Sequence, residues 1–160
     1  MMLPASQEIG LRCLLFDDVD QRFALEIGYV EEIILPRPIV PVPLSPPFVE
    51  GIINLRGRVV TVFSLRELLE LKGEKGMPAA MVVLRIPEMD LALGACGIIS
   101  IENLQTGIMA EEDPEEEGGL SPVKGVIQHE GLPVNLLDME KLIYLVVEYD
   151  YQDTDKVVGR

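Results

Sequence analysis

Phe48-Val49-Glu50-Gly51-Ile52-Ile53-Asn54-Leu55-Arg56-Gly57-Arg58-Val59-Val60 decides how the chain is read, because a fainter copy follows 74 positions later. Val49, Gly51, Ile53, Gly57 and Val60 meet their own residue type at Val123, Gly125, Ile127, Gly131 and Val134. Within the first copy, two runs rich in β-branched residues flank Arg56-Gly57. That pattern predicts a hairpin over Ile52 to Leu55 and Arg58 to Phe63, with Gly57 supplying the positive φ of the turn. Ser64-Leu65-Arg66-Glu67 then reads as a capping box opening a short helix, stapled by Phe63 on Leu68. The second copy offers Asp138 as cap, with Leu137 and Leu142 as staple. At the turn itself the first copy presents arginine and the second glutamate.

Outward from this motif, Leu11 to Phe16 and Arg22 to Ile27 read as strands around a polar turn. Gly28 to Leu35 mixes strand with single-turn character. The Arg22 strand repeats at Asp90 to Ala95, at an offset of 68. The two offsets differ by six residues, which places an insertion in the second copy's loop, at the acidic run Glu111 to Gly119. Insertion there costs little in a solvated connection. Six prolines between Pro36 and Pro47 exclude helix and central strand and predict a stiff surface connection. Two copies, each with strands, hairpin and short helix, imply an all-β double barrel with minor helix, a closed sheet being one way to remove exposed edges. The tail beyond Leu145 reads as exposed and poorly ordered.

A chain of 160 residues, 48% hydrophobic, suits one compact domain or two small units sharing a core. No apolar run reaches membrane-spanning length, and the N-terminus lacks the pattern of a signal peptide, so a cytoplasmic location is expected. Net charge of −14 argues against nucleic acid and anionic membrane surfaces. The charge is uneven, however. Gly51 to Arg66 contains no carboxylate but carries Arg56, Arg58 and Arg66, which predicts a cationic patch able to orient an acidic partner.

Chemistry finds few candidates. Cys13 and Cys96 read as reduced, buried small hydrophobes, and no Cys/His spacing marks a metal site. His129 stands alone on a strand-like segment, without the motifs of a nucleophile, phosphate loop or zinc protease. The acidic run lacks the spaced ligands and turn glycine of a calcium loop. No catalytic, cofactor-binding or metal residue is therefore expected, and the protein reads as a non-enzyme. Arg56 differs, because a hairpin tip presents its guanidinium on a rigid platform. Pairing with Glu31, Glu32 or Glu50 is the competing use of that charge.

The stretch from Phe48 to Val60 resembles the signature of CheW-like domains, and the likeness extends over Leu11 to Leu145, including Leu132 to Leu142. The resemblance implies two intertwined five-stranded SH3-like β-barrels related by the internal repeat. It divides the chain into an N-terminal extension (1–10), the CheW-like domain (11–145) and a C-terminal tail (146–160). The repeat units are about 11–72 and 79–145, with the acidic loop at 111–119. It also implies a non-enzymatic adaptor bridging the cytoplasmic tip of methyl-accepting chemotaxis receptors to the regulatory domain of the histidine kinase CheA. The implied receptor-facing set is Val30, Gly51, Asn54, Leu55, Arg56 and Gly57, with the kinase contact at an apolar end of one barrel. One departure is that Ala95-Cys96 replaces the family's usual Val-Asp. The alternative is a diverged regulatory module of a non-flagellar pathway that competes for receptor or kinase sites without bridging them.

Overall fold

The structure is a computed structural model and describes residues 10–73, 76–105 and 121–158, with side chains through residue 148. In chain order the elements are β1 (Gly10–Asp18), β2 (Gln21–Glu26), a 3₁₀ turn (Ile27–Tyr29), β3 (Val30–Ile34), β4 (Val49–Leu55) and β5 (Arg58–Phe63). There follow α1 (Leu65–Leu68), β6 (Ala80–Leu84), β7 (Leu91–Ala95), β8 (Gly97–Gln105), β9 (Val123–His129), β10 (Leu132–Leu137) and α2 (Met139–Val158). The strands form two five-stranded sheets, ordered β8-β1-β2-β10-β9 and β3-β6-β7-β5-β4.

The repeat maps one order onto the other. Hairpin β4–β5 pairs Leu55 with Arg58, and β9–β10 pairs His129 with Leu132, 74 positions on. The parallel contact of Thr61 with Leu91 recurs as Asn135 with Phe23. Each hairpin carries one extra residue at its base, Glu50 in the first and Lys124 in the second, where the register shifts. The sheets, however, do not follow the two halves of the chain. The hairpin β1–β2 joins β8, β9 and β10, while β6–β7 joins β3, β4 and β5. Each repeat unit thus lends its first two strands to the other's barrel, which is how the two SH3-like barrels intertwine.

The core reflects this exchange. One cluster lies within each barrel, around Leu15, Val134 and Leu136 in the first and Ile53, Val60 and Val83 in the second. The largest cluster joins the two and includes Phe16, Phe23, Phe63, Leu65, Leu93 and Leu142. Phe16 and Phe23 stack with ring centroids 5.7 Å apart. Burying such a side chain is worth up to about 3 kcal/mol, so the junction contributes to stability as much as either barrel.

The caps form largely as their residue types dictate. Ser64 Oγ accepts from the Glu67 N–H at 3.2 Å, and Asp138 Oδ1 from the Lys141 N–H at 3.2 Å. The reciprocal half of the first capping box is replaced, since the Ser64 N–H donates instead to the Phe48 carbonyl at 2.6 Å and Glu67 pairs with Arg66. The tail expectation is corrected in part, since the segment is helical while Val147 and Glu148 are exposed as expected. Helix α2 continues through Val158, and Val146 packs on the central cluster, so apolar contact carries the helix past the first turn. The acidic run at 111–119 lies outside the described residues.

The proline-rich segment is a strap over the outer edge of β4. Val40 and Ile52 exchange two backbone hydrogen bonds of 2.9 Å, so an otherwise open edge is paired. Of the two thiols, Cys13 is buried and pushed up to about 11 by burial. Cys96 corrects the expectation of burial. It lies at the strand crossover, half-exposed, and its thiol donates to Asp18 Oδ1 at 3.6 Å.

Candidate functional site

At the tip of β4–β5, Arg56 and Gly57 both take positive φ, 53° and 83°. Two successive positive φ values mark the primed turn that matches strand twist. Gly57 fits it freely, and its N–H donates to Asn54 Oδ1 at 2.8 Å. Arg56 does not fit freely, because a Cβ in the left-handed region crowds the backbone. The sequence anticipated the positive φ of Gly57 but not that of Arg56. Arginine is therefore held where asparagine, aspartate or glycine is favoured, and its side chain remains 67% exposed.

The guanidinium does not stand alone. Its two terminal nitrogens donate to Glu32 Oε1 and Oε2, both at 2.7 Å, a parallel fork across the gap between the edge strands β3 and β4. That hydrogen bond holds the Glu32 carboxyl below its usual range. Arg58 repeats the motif toward Glu31, at 3.2 and 3.4 Å, and reaches Asp90 at 3.4 Å. Arg37, from the strap, donates to the Asn54 carbonyl at 3.2 Å. The expected cationic patch is thereby corrected. Arg56 and Arg58 are matched by carboxylates from β3, and Arg66 by Glu67 and the Gly73 carbonyl. What faces solvent is a row of paired charges. No sequence spacing announces it, because the barrel curves β3 and β4 together across the strap.

The six residues singled out from the sequence divide into three groups. Asn54, Arg56 and Gly57 share the exposed tip. Leu55 is only 2% exposed and belongs to the barrel core. Gly51 is buried beneath the strap at φ 147°, where an added Cβ would come within 2.2 Å of the Val40 carbonyl oxygen. Val30 is half-buried against the central cluster, two positions along β3 from Glu32. Gly51 and Leu55 thus shape the hairpin from inside, while Asn54, Arg56 and Gly57 are exposed and Val30 partly so.

The second hairpin builds the same turn with other chemistry. Glu130 and Gly131 take φ values of 51° and 77°. Glu130 is 80% exposed, with His129 Nε2 at 4.0 Å. Leu132 and Ile99 stand where the first copy has Arg58 and Glu31, and both are exposed. Ile98 and Ile101 extend this apolar edge along β8. Among the described residues no group of histidine, cysteine and carboxylate side chains is arranged to hold a metal ion. No described helix is long and apolar enough to cross a membrane.

Comparison with known proteins agrees with this architecture. The family model of the CheW-like domain matches residues 12–147. The chain is 26% identical over 130 residues to the chemotaxis protein CheW of Thermotoga maritima, covering 81% of this chain and 85% of that one. A chemotaxis protein CheW of Treponema pallidum is 25% identical over 92 residues, 58% of this chain and about half (48%) of its own length. The crystal structure of the scaffolding protein TtCheW from Thermoanaerobacter tengcongensis superposes with a TM-score of 0.70 at 19% identity, covering 80% of this chain and 88% of that one. With a family match over most of its length and the twin-barrel fold to go with it, the chain belongs to the CheW-like domain family.

Proposed function

We propose that this protein is a non-enzymatic cytoplasmic adaptor that couples methyl-accepting chemoreceptors to the histidine kinase CheA. The observation that carries the proposal is Arg56, held in a left-handed turn that disfavours it and presented at an exposed tip. A strained position kept by a polar side chain points to use of that side chain. In this reading Asn54, Arg56 and Gly57 meet the receptor tip directly, with Val30 beside them. Gly51 and Leu55 fix the tip's position from inside. An exposed ion pair contributes little to folding, so Glu32 can yield Arg56 to a receptor carboxylate or share it. The apolar edge of Ile98, Ile99 and Ile101 gives a second surface of different character, as a bridging protein requires.

Co-sedimentation with receptor-bearing membranes and CheA tests the proposal. A coupler raises the kinase recovered with the membranes, and a competitor lowers it. Arg56→Glu is expected to abolish receptor association while leaving the thermal midpoint nearly unchanged. Adding Glu32→Arg restores the ion pair but not the association. Normal assembly by Arg56→Glu would remove Arg56 from the interface.

A further inference from the structure

Leu44 is the least explained residue on the surface. It sits at φ 60° in the turn Val42-Pro43-Leu44-Ser45, where Ser45 Oγ donates to the Val42 carbonyl at 2.8 Å. After a proline, such a turn position favours glycine or asparagine. Leucine there meets the left-handed penalty of its Cβ and is 88% exposed, so burial returns nothing. The strap that carries it has no charged residue from Pro38 to Val49, on a chain of net charge −14.

Two residues further on, Pro46 enters the wall of a groove of about 260 Å³. Its other lining includes Phe48, Met89 and Leu91 from the barrel and Val147 from α2. Tyr144 and Val147, three residues apart on one face of α2, are both exposed. Exposed carboxylates neighbour these lining residues in the chain, Glu88 beside Met89 and Glu148 beside Val147, with Glu140 seven residues before Val147 on the same helix face. Lys141 is the one cation among the described side chains of that helix.

We propose that Leu44 and this groove form a docking site for a basic amphipathic helix of a partner protein. The helix lies along α2, with its apolar side chains between Leu44 and Val147 and its lysines or arginines facing Glu88, Glu140 and Glu148. Charge complementarity selects the occupant. A second copy of this chain would set acidic rims against each other, and an anionic lipid surface is repelled for the same reason. The site lies at the Val49 end of β4, away from Arg56 beyond Leu55, and is independent of the receptor proposal.

Fluorescence anisotropy of the full chain with two labelled synthetic helices tests it. Both peptides carry the same leucine face, one with lysine and the other with glutamate opposite. The lysine helix is expected to bind and the glutamate helix not. Leu44→Asn and Val147→Ser each weaken binding roughly tenfold without altering net charge. Leu44→Asn should also raise the thermal midpoint by relieving the turn, which separates lost contact from lost fold. The proposal is overturned if the lysine helix binds both variants as tightly as the parent, which would mean diffuse attraction to an acidic surface. It also fails if neither helix binds, or if Leu44→Asn lowers the midpoint.

Discussion

The two hairpin tips share one backbone and differ in what surrounds it. Both place a charged residue and a glycine at positive φ, and both carry an extra residue at the base. Around the first tip, charges are matched in pairs: Arg56 with Glu32, Arg58 with Glu31. Around the second, the corresponding positions hold Glu130, Leu132 and Ile99, and the edge is apolar. The bases differ as well. In the second copy the extra residue Lys124 donates to Glu26 at 2.8 Å, bridging strands of the same barrel. Its counterpart in the first copy is Glu50, and Gly94 stands in place of Glu26. A small cavity opens there, its lining including Asp18, Glu50, Ser64, Arg66 and Cys96. The repeat sets a common frame, and different residues at equivalent points give each half separate chemistry.

The largest test of this comparison is Gly51→Ala. The strap crosses β4 so closely that a Cβ would strike the Val40 carbonyl, and the positive φ compounds the conflict. A loss of roughly 3 kcal/mol or more is expected in chemical denaturation. Gly57→Ala, also at positive φ but with open space where its Cβ would stand, should cost clearly less. Equal losses would show that the strap does not set the requirement at Gly51.

A smaller effect is expected at the base of the second hairpin. Lys124→Met breaks the pair with Glu26, but both groups are about a third exposed, so the cost should not exceed about 1 kcal/mol. It should shrink as salt is added. A salt-independent loss of several times that size would mean the pair is effectively shielded from water.

The smallest effect concerns Asp18, whose counterpart is the apolar Ile86. Burial raises the Asp18 carboxyl above its usual range, against the lowering effect of the Cys96 hydrogen bond. The folded state therefore holds this proton more tightly than the unfolded state, and stability is lost as pH rises from the unfolded value through the raised one. Asp18→Asn should lift the thermal midpoint modestly at neutral pH. The gain should vanish below the ordinary carboxylate range, where the acid is protonated in both states. A destabilised Asn variant at neutral pH would show that the charged form is the one the junction requires.

Much of the architecture was legible from local chemistry. The recurrence at offsets of 74 and 68 identified equivalent strands, turns and caps. Gly57, Ser64 and Asp138 hold the positions that turn geometry and orphan helix donors assign to them. The apparent cationic patch did not survive, because the carboxylates that neutralise it lie 24 and 27 residues upstream, on a strand brought close only by the barrel. Gly51 and Leu55 belong to the same motif as Arg56, yet they face inward. The motif records the whole hairpin and does not separate contact residues from those that hold them in place.

By itself, then, the sequence determined the repeat, the hairpins with their turns, and the strongly acidic charge balance. These follow from short-range sterics, hydrogen-bond capping and net charge. Tertiary structure alone decided which strands share a barrel, which arginine meets which glutamate, and that a proline strap forbids a side chain at Gly51. Those outcomes depend on segments far apart in the chain closing over a common core, and no local pattern encodes which surfaces will then face each other.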